Sequence, residues 1–158
     1  MNEWGRRSCR LPPGTVAVLI PFWISRWQFQ PPFFGLESVR WFGVFLIALA
    51  APVLLESFAR FAWEGLGTPA PVLPTKNLVV RGFYRYVRNP MYVAVASIIV
   101  GQGLLLGSGS LLVYAAFVWA AFLGFVLSYE EPKLRKTYGS EYEAYCAKVP
   151  RWIPRIVF

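Results

Sequence analysis

The sequence contains no histidine and no aspartate, and it has only two cysteines among its 158 residues. Cys9 and Cys146 are far apart and form no CxxC pair, so a zinc or di-iron centre is not expected. Histidine is the usual general base near neutral pH, and its absence leaves carboxylates, tyrosines, arginines or a reactive cofactor for any catalysis. These absences narrow the reaction classes that the chain can support.

Charge is also scarce, because charged residues make up 15% of the chain whereas apolar residues make up 56% and aromatic residues 18%. The mean hydropathy of +0.46 is high for a soluble domain of this length. We therefore expect an all-α integral membrane protein. The length allows one compact bundle, so residues 1–158 are predicted to form a single domain, with an active site built from helix ends and loops.

Four apolar segments are predicted to cross the membrane. The first, residues 11–25, is short, so it either crosses with local thinning of the bilayer or lies as a re-entrant or interfacial helix. The second, residues 41–55, contains Pro52, which is predicted to kink it. The third and fourth, residues 91–106 and 111–128, are joined by so short a link that they predict an antiparallel hairpin.

The segments between and after these spans indicate the topology. Residues 65–74 are rich in glycine and proline, which predicts an extended connector. Residues 130–158 alternate charges with aromatics, which is typical of a helix that lies along the membrane surface, and Pro150 and Pro154 are predicted to end it. All lysines and arginines except Arg26 and Arg40 fall on one side of the four spans. The positive-inside rule makes that side, with both termini, cytoplasmic.

Residues 81–92 read RGFYRYVRNPMY and place three arginines among four aromatic residues around a rigid Asn89-Pro90 turn. One interpretation is a membrane anchor, in which the arginines contact lipid phosphates beside an aromatic belt. The other is a binding site, because stacking surfaces and anion-binding groups together suit an adenosine that carries a carboxylate. The residues by themselves leave both interpretations open.

Two further groups interrupt the apolar sequence. Gly101 and Gly103 allow a helix or a ligand to approach closely, while Gln102 between them needs a bonded partner in an apolar run. Glu130 and Glu131 follow the fourth span directly. They are either the solvated end of a helix or a site for a cation, and adjacent helical positions point about 100° apart, so at most one should face a given pocket.

Three ordered blocks resemble the C-terminal half of membrane methyltransferases related to isoprenylcysteine carboxyl methyltransferase and phospholipid N-methyltransferases. They are RGFYRYVRNPMY, GQG at 101–103, and EEPKLRKTYGSEYEAYCAKVPRWIP at 130–154. GTPAP followed by LVVRG, within residues 67–82, is similar to the bacterial members. The family-like core covers residues 64–155, and the resemblance implies a protein of the bacterial inner membrane.

The resemblance also implies S-adenosylmethionine as the methyl donor and a lipophilic acceptor, whose reactive group is a carboxylate, an amine or a thiol. The expected partners are membrane lipids and this acceptor, with no nucleic acid and no metal. The implied catalytic residues are Glu131, on the acceptor side, and Arg88, although Glu130 and Glu131 could exchange roles. The implied cofactor-binding residues are Arg85, Tyr86, Arg88, Asn89, Tyr92, Gly101, Gln102, Gly103, Glu130, Tyr145 and Arg151.

One difference from the isoprenylcysteine enzymes concerns the turn at residues 88–90. Those enzymes usually carry RHP, whereas this chain has Arg88-Asn89-Pro90. Asparagine donates and accepts hydrogen bonds but cannot become a cation, which puts an isoprenylcysteine substrate in doubt. Two alternatives to methyl transfer stay open on sequence alone, an NADPH-dependent membrane reductase of the sterol or steroid type and a non-catalytic membrane scaffold.

Overall fold

A computed structural model describes residues 14–64 and 81–153 of the chain. The described residues form helices and turns with no strand among them, which confirms the all-α prediction. The predicted connector at 65–74, the beginning of the first apolar segment and Pro154 lie outside the described residues.

Six helices make up the described fold. Helix α1 (Thr15–Ser25) starts with a π-helical turn over Thr15–Leu19, and α2 covers Glu37–Glu64. Helix α3 covers Pro90–Leu106 and α4 covers Gly109–Phe125. A π-helical turn, Val126–Glu130, connects α4 to α5 (Glu131–Tyr138), and α6 (Ser140–Lys148) follows. Short 3₁₀ turns lie at Phe33–Gly35 and Gly82–Arg85.

Two of these helical stretches are long and apolar enough to cross a membrane, namely Glu37–Arg60 and Gly109–Tyr138. The other two predicted segments also form apolar helices, Thr15–Ser25 and Pro90–Leu106, but these are shorter. Helix α2 is longer than the predicted segment and continues through Pro52. Helix α6 ends where predicted, because Val149 is extended and a residue before proline is disfavoured in the helical region.

Helix α3 lies at the centre of the bundle and packs against α1, α2 and α4. Pro90 occupies its first turn, where a missing N–H costs nothing, and Gly107 ends it in the left-handed conformation with φ of 69°. The fully buried Val95 and Ile99 lie along its length. This central helix begins directly after the turn that carries Arg88 and Asn89, and it packs on α4, which leads into Glu130 and Glu131.

Candidate functional site

Three parts of the chain meet at the beginning of α3. They are the turn at residues 88–90, the π-helical turn that joins α4 to α5, and residues 149–152, which follow α6 and are called the strap below. The backbone N–H of Arg88 donates to the carbonyl oxygen of Pro150 at 2.9 Å. Charged and aromatic side chains from all three parts converge here, and we take this cluster as the candidate site.

Glu131 is the centre of the ionic contacts. It is 4% exposed, and Arg151 donates to its two oxygens from Nε at 2.6 Å and from Nη2 at 3.0 Å. Arg88 donates to it from Nη1 at 3.3 Å, and Arg135 lies 3.9 Å away. The hydrogen bond to Glu131 raises the pKa of Arg151, so a buried carboxylate is held by permanent cations.

Arg88 has more contacts than the one to Glu131. Its Nη1 also lies 2.8 Å from Sγ of Cys146 in α6. Its Nε is buried and has no hydrogen-bond partner among the described residues. Because a buried guanidinium nitrogen without a partner is costly, this atom is a candidate donor to an anionic ligand.

Glu130 has a different partner from its neighbour. It accepts a hydrogen bond from the hydroxyl of Tyr92 at 3.0 Å, and the Tyr92 ring packs on Phe122 with centroids 4.7 Å apart. The two carboxylates therefore have separate partners, but both contact side chains at the beginning of α3. Each carboxylate thus has its own set of partners, and the expectation that at most one of them faces a given pocket stays a prediction.

The π-helical turn gives a physical reason for this arrangement. Pro132 stands in the first turn of α5 and has no N–H to donate to the carbonyl oxygen of Ser128, so regular α-helical bonding is interrupted. The helix widens over Val126–Glu130, and such π-helical turns are frequent at functional sites. The widened turn changes the directions of the two glutamates from those of a regular helix.

Asn89 contacts the strap and does not cap the helix. It is 8% exposed and precedes α3 in the N-cap position, but its side chain makes no capping hydrogen bond. Its Nδ2 donates instead to the carbonyl oxygen of Arg151 at 3.2 Å. The amide is therefore bonded to the backbone of the strap, and the cofactor contact implied for it stays a prediction.

Tyr84 was missed by the sequence analysis, which treated it as one aromatic among several. Residues 82–85 form a 3₁₀ turn, in which side chains three apart share a face, so Tyr84 and Val87 are buried while Arg85 and Tyr86 are exposed. Burial and then the charge of Glu130 raise the pKa of Tyr84. The three-residue spacing of Tyr84 and Val87 could have indicated from the sequence that Tyr84 is buried. Arg85 and Tyr86, which the resemblance implies as cofactor-binding residues, do not contact the cluster.

Tyr145 and Cys146, both on α6, border the same cluster. The Tyr145 hydroxyl donates to the carbonyl oxygen of Tyr84 at 2.7 Å, and burial raises its pKa. Cys146 was considered in the sequence only as a metal ligand, and no sequence signal indicated its contact with Arg88. Tyr145 thus lies where the resemblance implies, but its hydroxyl is bonded to backbone.

Gly101, Gln102 and Gly103 lie elsewhere. Gly101 is nine residues beyond Tyr92, which corresponds to roughly 14 Å along the helix axis. A Cβ atom on Gly101 would lie 2.8 Å from the carbonyl oxygen of Gly43 in α2, and Gln102 donates to the carbonyl oxygen of Ala17 in α1 at 2.7 Å. A Cβ atom on Gly103 would lie 2.7 Å from Cδ2 of Leu112. These contacts serve helix packing, and the role in cofactor binding implied for the three residues stays a prediction.

The end of α2 approaches the cluster from a fourth side. Arg60 donates to Glu56 at 2.6 Å, and this pair lies against Gly82, where any Cβ atom would overlap both side chains. Gly82 also has a φ of 62°, which disfavours other residues. The glycine therefore allows α2 to close against the turn that carries Tyr84.

The described helices are apolar, two of them are long enough to cross a membrane, and one end of the bundle carries a cluster of arginines, tyrosines and carboxylates. The sequence model of the family described as phospholipid methyltransferase matches residues 38–141. The chain therefore belongs to the phospholipid methyltransferase family, a family of methyltransferase enzymes, and the resemblance drawn from the sequence motifs is confirmed.

A curated relative adds detail to this assignment. Over 80 residues the chain is 39% identical to protein-S-isoprenylcysteine O-methyltransferase of Schizosaccharomyces pombe. The aligned segment covers 50% of this chain and 34% of the relative. The chain thus spans about a third of the length of the curated relative that it matches. The likeness supports the family and leaves the acceptor of this chain to be proposed.

Proposed function

We propose that this chain transfers a methyl group from S-adenosylmethionine to a lipophilic acceptor at the cytoplasmic face of a membrane. The observation that carries the proposal is the convergence of Arg88, Tyr92, Glu130, Glu131 and Arg151 at one end of two apolar helices. Family membership supports methyl transfer as the reaction class. The donor, the acceptor and the membrane face are the proposed parts.

The residues of the cluster fit the chemical groups of this donor. Arg88 retains a buried Nε that has no hydrogen-bond partner within residues 14–64 and 81–153, which suits the donor's carboxylate, and Arg151 is the second cation of the cluster. Glu130 suits the ammonium or the sulfonium, and the rings of Tyr92 and Tyr145 suit the adenine or ribose. When bound, S-adenosylmethionine supplies a methyl group that is already activated, so the protein mainly has to position the acceptor and exclude water.

A lipophilic acceptor is supported by an apolar groove of about 520 Å³ between α2, α3 and α4. Its floor consists of small side chains, including Ala96, Ser97 and Ala116. At one end it reaches Trp119, whose ring packs on Trp152 of the strap with centroids 4.7 Å apart. The groove therefore ends beside Trp152, the residue that follows Arg151. Arg151 is the partner of Glu131, and we assign Glu131 to the acceptor side.

We further propose that α1 to α4 all cross the membrane, that α3 and α4 form an antiparallel hairpin, and that both termini are cytoplasmic in a bacterial inner membrane. The distribution of lysines and arginines supports this topology. We also propose that residues 1–158 act as one domain with a family-like core at 64–155.

Thiols introduced at Gly65 or Lys76, in a variant without Cys9 and Cys146, test the topology and should react only with reagents that reach the cytoplasmic face. Labelling only from the outer face would reverse the topology.

Binding of the donor is the direct test of the proposed function. Isothermal calorimetry on protein purified in detergent should show saturable binding of S-adenosylmethionine and none of NADPH. Preference for NADPH would indicate a reductase, and failure to bind either would indicate a scaffold. If the donor binds, membrane lipids and hydrophobic metabolites incubated with isotopically labelled donor, with and without the protein, should reveal the acceptor by mass spectrometry.

A further inference from the structure

The strap is fixed to the rest of the molecule at three successive residues. The carbonyl oxygen of Pro150 accepts from the backbone N–H of Arg88 at 2.9 Å. The carbonyl oxygen of Arg151 accepts from Nδ2 of Asn89 at 3.2 Å. The ring of Trp152 packs on Trp119 of α4. Only the second of these contacts uses a polar side chain.

Asn89 makes this contact at the expense of a more common one. An asparagine in the N-cap position normally accepts a hydrogen bond from an N–H in the first turn of the helix, but the side chain of Asn89 makes no such bond. Its backbone carbonyl still accepts from Val93 at 3.2 Å, so the helix begins normally. The side chain therefore serves the strap, and the helix start does not require it.

The contact acts on the backbone of Arg151, while the side chain of Arg151 acts on Glu131. The guanidinium approaches Glu131 in a two-point arrangement, at 2.6 and 3.0 Å, and such an arrangement tolerates little displacement of the backbone that carries it. A long side chain on an extended segment loses considerable rotational freedom when it is fixed in this way. The hydrogen bond from Asn89 already restricts the backbone of Arg151. Less conformational entropy is therefore lost when the Arg151 side chain pairs with Glu131.

We propose that Asn89 is a positioning residue, which holds the strap so that Arg151 stays paired with Glu131. It acts through Arg151 and does not contact the donor or the acceptor. This inference rests on the proposed function for its effect on ligand binding, but its effect on the strap can be measured without any ligand. It also assigns a purpose to asparagine in the Arg88-Asn89-Pro90 turn, since an amide N–H donor is what the Arg151 carbonyl requires.

Hydrogen exchange provides the first test, on protein in detergent without donor. Asn89→Leu removes the donor at similar size, so exchange of the Arg88 amide, whose partner is Pro150, should become about 2- to 10-fold faster, the equivalent of one neutral hydrogen bond. Asn89→His can donate from a ring nitrogen and should restore slow exchange. An Asn89→Leu protein that is folded and exchanges at the wild-type rate would overturn the proposal.

A double-mutant cycle on the dissociation constant of S-adenosylmethionine provides the second test. Arg151→Ala keeps the carbonyl that Asn89 contacts but removes the guanidinium. Asn89→Leu should weaken donor binding about 2- to 10-fold in the wild-type background and have almost no effect in the Arg151→Ala background. Equal effects in both backgrounds would mean that Asn89 acts in another way, for example by direct contact with the donor.

The two tests separate this inference from the proposed function. If the wild-type protein does not bind S-adenosylmethionine, the proposed function fails while the exchange experiment still decides the role of Asn89. If the donor binds and the exchange rate is unchanged in Asn89→Leu, the positioning role fails and the proposed function stands. The Asn89→His variant covers the case in which the leucine variant does not fold.

Discussion

Arg151 and Glu131 are joined by two parallel hydrogen bonds, from Nε at 2.6 Å and from Nη2 at 3.0 Å. The pair connects the strap to the first residue of α5, and Glu131 is almost completely buried there. A planar guanidinium matches a carboxylate at two points in a way that a lysine ammonium cannot. The pair therefore ties the strap to α5 through a contact that only arginine can make at two points.

We therefore expect Arg151→Lys to retain the charge and lose the two-point contact. The free energy of unfolding in detergent should fall by about 1 to 2 kcal/mol, because a hydrogen bond to a charged group is lost and the remaining one is less constrained. Lys136→Arg on the exposed side of α5 is the matched control and should leave stability unchanged. Equal stability of Arg151→Lys and wild type would mean that only the charge of Arg151 matters.

Replacing the two glutamates should have different effects. Glu130→Gln should raise the dissociation constant for S-adenosylmethionine, because a poorly screened carboxylate that faces a cation is lost. Glu131→Gln should lower turnover by more than it weakens donor binding, because the amide oxygen still accepts one hydrogen bond from Arg151. It should also lower stability by up to about 3 kcal/mol, since Arg88 and Arg151 lose a buried charged partner.

Calorimetry, steady-state kinetics and thermal unfolding on the same preparations distinguish these effects. A reversed pair of phenotypes would exchange the roles of Glu130 and Glu131 and leave the family assignment intact. Full activity in both single variants and in the double variant would remove the carboxylates from the site.

Arg88→Ala should weaken binding of S-adenosylmethionine by about 1.5 to 3 kcal/mol, the range for a hydrogen bond to a charged group. The physical reason is the buried Nε that has no partner among the described residues. Arg81→Ala, an exposed arginine on the same segment, is the control and should bind as wild type does. Unchanged affinity in a folded Arg88→Ala protein would return Arg88 to the role of a structural partner of Glu131.

The alkaline stability of the protein should reflect its buried tyrosines. Burial raises the pKa of Tyr84, Tyr142 and Tyr145 above the ordinary value of 10.0. The folded protein then keeps these protons at a pH where the unfolded chain releases them, so the unfolded state binds fewer protons and the free energy of unfolding falls as pH rises.

This loss should begin near pH 10, where tyrosines of the unfolded chain ionise, and should be absent between about pH 7 and 9. Thermal unfolding followed as a function of pH measures it. Tyr145→Phe should be less stable at pH 7, because its hydrogen bond to the Tyr84 carbonyl is lost, and should show a shallower alkaline slope. If stability fell with pH as steeply in Tyr145→Phe as in the wild type, Tyr145 would not contribute to the alkaline loss of stability.

The all-helical fold and methyl transfer as the reaction class could both be predicted from the order of residues along the chain. A long apolar run without charge can satisfy all its backbone polar groups within one segment when it is a helix, and the described residues are helical where those runs lie. The ordered blocks around Arg88, Gly101 and Glu130 identified the family because several motifs in fixed order are far more specific than any single one. Local pattern was sufficient for both conclusions.

Which residues of those blocks lie close together in space depends on how the helices pack. A helix rises about 1.5 Å per residue, so Gly101 to Gly103 are too far along α3 to join Tyr92, although they belong to the same motif set. Glu130 and Glu131 reach their partners at the beginning of α3 from a widened turn before Pro132. Regular helical periodicity cannot predict such a turn. The pairing of Asn89 and Arg151 joins residues 62 positions apart, and a contact between such distant residues is set by how the helices pack and not by local sequence.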